Sequence, residues 1–383
     1  MKRFALVSLL AGVLPAQLLA LESKPVDFAR EIRPILSENC FACHGPDSAK
    51  RKSGLRLDEQ TSAYAPAESG DIAVVPGKPD ESQLLLRIVS KDADEVMPPP
   101  DEHKKLKPEQ ISLIRRWIQE GARYTGHWAY QPVAEPALPT VRDRSWPCMP
   151  IDHFILARLE REGLKPAAEE ERARLLRRLS LDLTGLPPSI EEVDSFLSDT
   201  TPEAYEKVVE RLLSSPHFGE RLATPWLDLA RFADTAGYHN DSLRDMWIWR
   251  EWVINAFNAN KPFDQFTVEQ LAGDLIPDAT LDQKIASGFH RNVMTSDEGG
   301  IIDEEYLNLY IVDRVNTTGV TWLGLTVGCA QCHDHKYDPI TARDYYQLYA
   351  FFHNVPEKGK DGVRDRNPAP ALMVLRTEEE KAA

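Results

Sequence analysis

Cysteine, basic charge and long apolar runs are all scarce in this sequence. The 383 residues include 5 cysteines, and 60 acidic residues against 45 basic ones give a formal net charge of −15. Nucleic-acid phosphates attract a basic surface, so we expect no nucleic-acid partner. Beyond the N-terminal residues no stretch approaches the roughly 18 apolar residues of a membrane-spanning helix, so we expect no transmembrane segment there.

Strand-like alternation is nearly absent, and several common enzyme motifs are missing. The sequence has no G-x-S-x-G nucleophile elbow, no P-loop and no dinucleotide-binding fingerprint. With 42% hydrophobic and 27% charged residues, its composition is that of a globular chain. Apolar residues recur instead at helical spacing, as at Leu175, Leu176, Leu179 and Leu183. This periodicity predicts a mostly α fold.

Residues 1–20 have the layout of a secretory signal peptide. Lys2 and Arg3 stand at its start, an apolar run covers residues 4–14, and small residues occur at Ala16 and Ala20. We therefore expect an exported protein in the periplasm or at the cell surface. An uncleaved N-terminal anchor is the alternative.

The pentapeptide C-x-x-C-H occurs twice and takes up four of the five cysteines. This spacing is typical of c-type haem attachment, because two thiols reach the porphyrin edge and the adjacent imidazole reaches the iron. The predicted attachment points and iron ligands are Cys40, Cys43 and His44 in the first motif and Cys329, Cys332 and His333 in the second. We expect two haem c groups. A redox-active cysteine pair and a zinc site are the alternatives.

Composition and periodicity divide the chain into five segments. We predict the signal peptide over 1–20, a small helical domain over 22–124, a proline-rich linker over 125–150, a larger α-helical domain over 151–354 and a tail over 355–383. In the larger domain, Thr201 as N-cap and Pro202 at the first position predict a helix over 202–213. A helix over 304–325 is predicted to be interrupted at Gly319.

The small domain carries the stretches FAREIRPILSENCFACHGPDSAKRKSGLRLD, VMPPP and RRWIQEGA. It resembles the planctomycete-type cytochrome c module, a class I cytochrome c-like domain with an axial methionine. The resemblance implies that Met97 binds the iron opposite His44. A thioether is a soft, neutral ligand that favours Fe(II). His103 is the fallback ligand.

The larger domain carries RRLSLDLTGLPP, PWLDLARFADTAGY, NKPFDQFTVEQLAGDL, GFHRNVMTSDEGG and VDRVNTTGVTWLGLTVGCAQCHDHKYDPI. It resembles the uncharacterised, cytochrome-like domain that follows this cytochrome module in large exported proteins. In full-length members a further domain of unknown activity usually follows. We therefore expect this chain to be a short or incomplete member.

The second motif has no obvious distal ligand. His335 follows His333 too closely to reach the other face of a haem, although it could donate to a propionate. The histidines and methionines elsewhere in the larger domain are His239, Met246, His290, Met294 and His353. We favour His290 or Met294, because both lie in an irregular stretch. An open distal position, suited to peroxide or oxygen chemistry, is the alternative.

Acidic residues flank Gly299 and Gly300, at 297–298 and 303–305. Their carboxylates suit a Ca²⁺ site. Acids at the start of a helix also complement its dipole, which explains them without a metal.

These features together predict an exported dihaem cytochrome that exchanges single electrons with a redox partner protein. The alternative is a haem-dependent oxidoreductase, whose larger domain oxidises a substrate, for example one derived from carbohydrate, and passes electrons to the first haem. A structural module with a metal clip at the second motif is the third hypothesis.

Overall fold

The computed structural model of the protein describes residues 25–355 apart from 49, 127, 239–240 and 297. The predicted signal peptide and nearly all of the predicted tail lie outside the described residues, as do His239 and Asp297. Within the described ranges, no helix is both long and apolar enough to cross a bilayer.

Helices make up most of the described chain, which confirms the predicted mostly α fold. The α-helices of the described residues are α1 (Arg33–Asn39), α2 (Phe41–His44), α3 (Gln60–Tyr64), α4 (Gln83–Val89), α5 (Pro108–Gln119), α6 (Pro150–Arg161), α7 (Arg172–Thr184), α8 (Ile190–Ser198), α9 (Ala204–Leu213), α10 (Pro216–Ala230), α11 (Trp247–Asn258), α12 (Phe263–Ala272), α13 (Leu281–Ala286), α14 (Asp303–Thr318) and α15 (Ala342–His353).

Short helical turns and isolated bridges complete the architecture of the described residues. The 3-10 turns are Pro79–Glu81, Pro100–Glu102, Trp128–Tyr130, Gly273–Leu275, Ser287–Asn292 and Val327–Gln331, and the π turns are Phe28–Ile32 and Gly319–Leu323. The β-bridges join Pro66 to Ile72, Thr235 to Leu243 and Gly237 to Thr295.

The chain separates into two compact units, and the first ends at Pro132 and also includes Lys336–Asp338. Apolar side chains of the Phe28–Ile32 turn, α1, α4 and α5 form its core. The rings of Phe28 and Trp117 pack there with centroids 5.4 Å apart. Burial of such large apolar groups is the main force that holds a small helical unit together.

Helix α5 follows the pattern expected from its sequence. Pro108 occupies its first position, and Gly121 follows its end with φ of +99°. Proline suits the first turn because its missing N–H has no helical partner, and glycine tolerates a positive φ. Ile114, Trp117 and Ile118 on one face are fully buried, so α5 is anchored to the core over its length.

Among the described residues, the second unit comprises Val133–His335 and Pro339–Val355. Its centre is an aromatic cluster on α10, α11, α12 and the following turns, which includes Trp226, Trp249, Trp252, Phe266 and Phe289. A separate apolar cluster joins α14, α15 and the turn that carries the second C-x-x-C-H motif, through Ile311, Val315, Val327, Ala330 and Tyr345. We call this second set the α14–α15 cluster.

Two local predictions for the second unit need correction. Helix α9 begins at Ala204, so Thr201 is not its N-cap. The Thr201 hydroxyl donates to Asp199 Oδ1 at 2.6 Å and is therefore engaged before the helix begins. Helix α8 was not predicted, although Ser189 and Glu192 form a capping box at its start. The predicted interruption at Gly319 is confirmed, because α14 ends at Thr318 and a π turn follows.

Candidate functional site

The first C-x-x-C-H motif lies at the junction of α1 and α2. The Cys40 backbone N–H donates to the carbonyl of Leu36 at 2.7 Å, and the His44 N–H donates to the carbonyl of Cys40 at 2.8 Å. The motif thus forms one helical turn. Side chains three and four positions apart share a helix face, so Cys40, Cys43 and His44 project to one side.

Cys40, Cys43 and His44 of this turn are partly buried. Burial raises the pKa of the Cys40 thiol to about 12, and nearby Lys104 opposes that rise. Burial also lowers the pKa of His44, which keeps its imidazole in the neutral form that a metal requires. Within the described residues, His44 Nδ1 is buried and has no hydrogen-bond partner. Two thiols and a neutral imidazole on one face fit a covalently attached haem.

Met97, the predicted distal ligand, follows α4 in a half-buried segment. Its N–H donates to the carbonyl of Arg87 at 3.1 Å, and its peptide bond to Pro98 is cis. The charge of Arg87 also acts on the His44 imidazole. Arg87 therefore interacts with both predicted ligands, through its carbonyl with Met97 and through its charge with His44. His103, the fallback ligand, is exposed at the end of a 3-10 turn with φ of +53°.

The second motif sits on the 3-10 turn Val327–Gln331 and the residues after it. Val327 and Ala330 are buried in the α14–α15 cluster. Cys329 and Cys332, in contrast, are exposed to solvent. His333 is exposed, and its Nδ1 lies 2.8 Å from the carbonyl oxygen of Asp334. When Nδ1 donates to a carbonyl, the lone pair is on Nε2, the usual arrangement of a metal-ligating histidine. These residues also fit a covalently attached haem.

Helix α15 supports the second motif from both sides. At its start, Thr341 and Asp344 form a capping box, and the N–H of Ala342 donates to Asp334 Oδ1 at 2.9 Å. One turn later the Tyr346 hydroxyl donates to the carbonyl of Gln331 at 2.9 Å. Tyr345 is fully buried and lies near enough to Cys332 for the two groups to interact electrostatically. The capped helix therefore fixes the backbone on each side of Cys332.

Two family models match this chain, and together they cover both motifs. Residues 40–101 match the family described as "Planctomycete cytochrome C". Residues 150–357, more than half of the chain, match the family described as "Protein of unknown function (DUF1549)".

The chain belongs to the DUF1549 family. Its N-terminal match identifies a cytochrome-type protein with covalently bound haem, and Cys40, Cys43, His44 and Met97 all lie within the matched residues. A search of curated proteins and a search of solved structures gave no match.

In this DUF1549 protein the candidate distal ligands of the second motif have different surroundings. Met246 is buried in the aromatic cluster, and Met294 is half exposed with its side chain against Gly237. His353 is exposed and stacks on Tyr349. His239 lies outside the described residues.

His290 has the surroundings that best suit a ligand. Its ring meets Phe352, which packs against the α14–α15 cluster, with centroids 4.8 Å apart. Its Nδ1 is buried and has no hydrogen-bond partner among the described residues, and its Nε2 lies 3.4 Å from the hydroxyl of Thr318. These contacts place His290 beside the cluster that carries the second motif.

No support for the calcium and zinc alternatives comes from the described part of the chain, where no three His, Cys, Asp or Glu side chains are placed to hold a metal ion. The acids at 303–305 form the exposed first turn of α14, where they complement the helix dipole. Asp297 lies outside the described residues. His335 is buried, and its backbone N–H donates to the carbonyl of Ile340 at 2.8 Å.

One polar group was missed from the sequence. Arg231 at the end of α10 pairs with Asp313 on α14, and the two lie in the stretches PWLDLARFADTAGY and VDRVNTTGVTWLGL. Neither residue stands in a motif of recognisable spacing, so only the three-dimensional structure brings them together.

Proposed function

We propose that this protein is an exported c-type cytochrome that carries two haems and exchanges single electrons with a redox partner protein. The observation that carries the proposal is the helical turn Cys40–His44, which presents two thiols and a neutral imidazole on one face. The cytochrome-type match to residues 40–101 supports it.

Bound haem would supply an iron that changes its oxidation state by one electron. Cys40 and Cys43 would tether it, and His44 would bind the iron from one side. Met97 is the proposed ligand on the other side, where a neutral thioether favours Fe(II). The apolar core that surrounds Cys40 would keep water away from this end of the site.

For the second motif we propose Cys329 and Cys332 as tethers and His333 as the iron ligand. The hydrogen bond between His333 Nδ1 and Asp334 supports this role, because it leaves Nε2 available. We propose His290 as the distal ligand, ahead of Met294, because its ring contacts Phe352, which packs against the α14–α15 cluster.

The export proposal rests on the sequence of residues 1–20 and on the haem motifs. A basic start followed by an apolar run and small residues is typical of a secretory signal peptide. Covalent haem attachment takes place outside the bacterial cytoplasm, so both features point to the same side of the membrane.

Haem stoichiometry with spin state tests the proposal directly. The mature protein, purified with its cofactor, should contain two haems per chain by pyridine haemochrome analysis. Its spectrum should be that of low-spin c-type haem, and reductive titration should consume one electron per haem. A protein without covalent haem would refute the proposal, and a single haem would refute the relay between two.

A haem-dependent oxidoreductase is the second candidate function. The observation that favours it is the size of the second matched region, residues 150–357, which exceeds what one haem needs for burial. A high-spin second haem that binds cyanide, or that is reduced by a panel of sugars, would support this candidate. Two low-spin haems that respond to neither reagent would rule it out.

A further inference from the structure

Arg231 and Asp313 form an ion pair that the haem motifs do not explain. Arg231 closes α10 with φ of +60°, and its Nη2 lies 2.7 Å from Asp313 Oδ2 on α14. Burial raises the pKa of Asp313, while Arg231 and Arg314 oppose that rise. Both side chains are partly buried, and charges shielded from water need partners that compensate them.

Separate parts of the second unit meet around this pair. The loop after α10 forms a bridge between Gly237 and Thr295. Arg244 on the same loop is buried and donates through Nη1 to the carbonyl of Val293 at 2.8 Å. The N–H of Ser296 donates to the hydroxyl of Tyr310 on α14 at 2.8 Å. A single polar cluster therefore forms where the end of α10, the residues around 290–296 and the middle of α14 meet.

Several hydrogen-bond donors in this polar cluster are buried and have no acceptor among the described residues. Arg231 Nε and Nη1, His290 Nδ1 and Thr295 Oγ1 have no hydrogen-bond partner among the described residues. Native interiors leave few such groups, so each calls for an explanation. A guanidinium has only donors, so its remaining N–H groups require acceptor atoms.

The surroundings of His290 favour an anionic acceptor. Its Nδ1 is buried without a partner among the described residues, and the charges of Arg314 and Arg231 act on the same imidazole. Asp234 and Asp241 act on Arg244 and are exposed, whereas Asp313 already contacts Nη2 of Arg231.

We propose that Arg231 and His290 bind the carboxylate group of a small organic ligand in the second unit. A carboxylate offers two acceptor-only oxygens, which match the planar donors of a guanidinium better than a hydroxyl does. Thr295 would donate a further hydrogen bond. This site goes beyond the proposed electron transfer. His290 would donate through Nδ1, which leaves Nε2 for the iron-ligand role proposed above, so carboxylate binding does not require a haem at the second motif.

Calorimetric titration and thermal unfolding of the mature, haem-loaded protein test the site. Acetate, glycolate and glucuronate serve as carboxylate probes, with glucose as a neutral probe and sulfate at matched ionic strength as a salt control. We expect saturable binding and a rise in Tm with at least one carboxylate. Binding should weaken at least tenfold in Arg231→Gln and less in Arg231→Lys, which keeps the charge but not the fork.

Arg158→Gln is the matched control. It removes an arginine that pairs with Glu162 at 2.9 Å on an exposed helix face, and it should leave carboxylate binding unchanged. Far-UV circular dichroism reports whether each variant folds. If Arg231→Gln does not fold, Thr295→Val offers an independent test, because it retains similar volume and should also weaken binding.

A haem propionate presents the same carboxylate chemistry, and the experiment separates this source from a free ligand. With a propionate in the site, free carboxylates would not bind, and Arg231→Gln would lower one midpoint potential while Arg158→Gln would not. The proposal is overturned if no carboxylate binds and no potential shifts. It is also overturned if sulfate or glucose raises Tm as much as the carboxylates do.

Discussion

The imidazole of His333 contacts the carbonyl oxygen of Asp334 through Nδ1 at 2.8 Å. Asp334 is itself held by α15, because its Oδ1 accepts the N–H of Ala342. The start of α15 therefore orients the ring that we propose as an iron ligand, and it leaves Nε2 as the available nitrogen.

His333→Ala should convert one of the two proposed haems from low spin to high spin, because the iron loses an axial nitrogen. Electron paramagnetic resonance and the visible spectrum of the oxidised protein measure this change. His217→Ala is the control, since His217 is exposed and pairs with a surface acid, Glu220. An unchanged spectrum in a folded His333→Ala protein would contradict the assignment.

Met97→Ala should remove the far-red charge-transfer band of a methionine–Fe(III) bond and lower one midpoint potential. The physical reason is the loss of a soft, neutral ligand that favours Fe(II). Met149→Ala is the matched control, because Met149 is exposed just before α6. Retention of the band in Met97→Ala would show that another methionine is the ligand, and absence of the band from the parent would point to another residue, such as His103.

The sequence and the structure agree best where a function is carried by neighbouring residues. Five consecutive positions define each C-x-x-C-H motif, and Pro108 with Gly121 marks α5, so spacing alone predicts both. The start of α9 was misplaced because the hydroxyl of Thr201 is engaged by Asp199, a contact that a capping rule does not include.

The pairing of Arg231 with Asp313 could not be predicted for a different reason. Several helices separate the two residues in sequence, and their contact depends on how α10 and α14 pack. The same holds for the contact of His290 with Phe352 on α15, on which our proposal of His290 over Met294 rests. The sequence shows which residues could bind a ligand or a metal, but tertiary packing decides which of them come into contact.

Gly219→Ala should destabilise the second unit by about 1–3 kcal/mol, because overpacking a close helix contact costs that much. A Cβ at Gly219 would collide with the carbonyl of Ile254 on α11, so α10 and α11 would have to separate. Chemical denaturation measures the change. Gly299→Ala is the matched control, since a Cβ there meets open space and its φ is not positive. Equal stability of the two variants would contradict the close approach.

The capping box at the start of α15 should make stability depend on pH. Hydrogen bonds from the Thr341 side chain and backbone lower the pKa of Asp344 below its value of about 3.9 in unfolded chains. A carboxylate with a depressed pKa contributes stability above the unfolded pKa, and this contribution is lost as the pH falls through the folded pKa.

Asp344→Asn should therefore be destabilised relative to the parent at pH 7, and the difference should shrink toward pH 2. Thr341→Ala should cost about 1 kcal/mol, typical of a lost N-cap, and Thr341→Ser should recover most of it. Denaturant unfolding between pH 2 and pH 7 provides the data. A difference between Asp344→Asn and the parent that stays constant over this range would contradict the cap.

The cysteines allow each proposed haem to be assigned to its motif. The double variant Cys329→Ala with Cys332→Ala should reduce the haem count from two to one, because no thiol remains to form a thioether at the second site. The double variant Cys40→Ala with Cys43→Ala should also leave one haem. It should remove the methionine–Fe(III) band as well, since Met97 belongs to the first site.

Cys148→Ala is the control for cysteine loss itself, because Cys148 is exposed and lies outside both motifs. It should keep both haems. Pyridine haemochrome analysis against protein concentration gives the count, and mass spectrometry of the intact chain gives the added mass. If the parent protein contains one haem, and the double variant Cys329→Ala with Cys332→Ala keeps that haem, then the second motif holds no haem. Its exposed thiols and His333 would then serve another purpose.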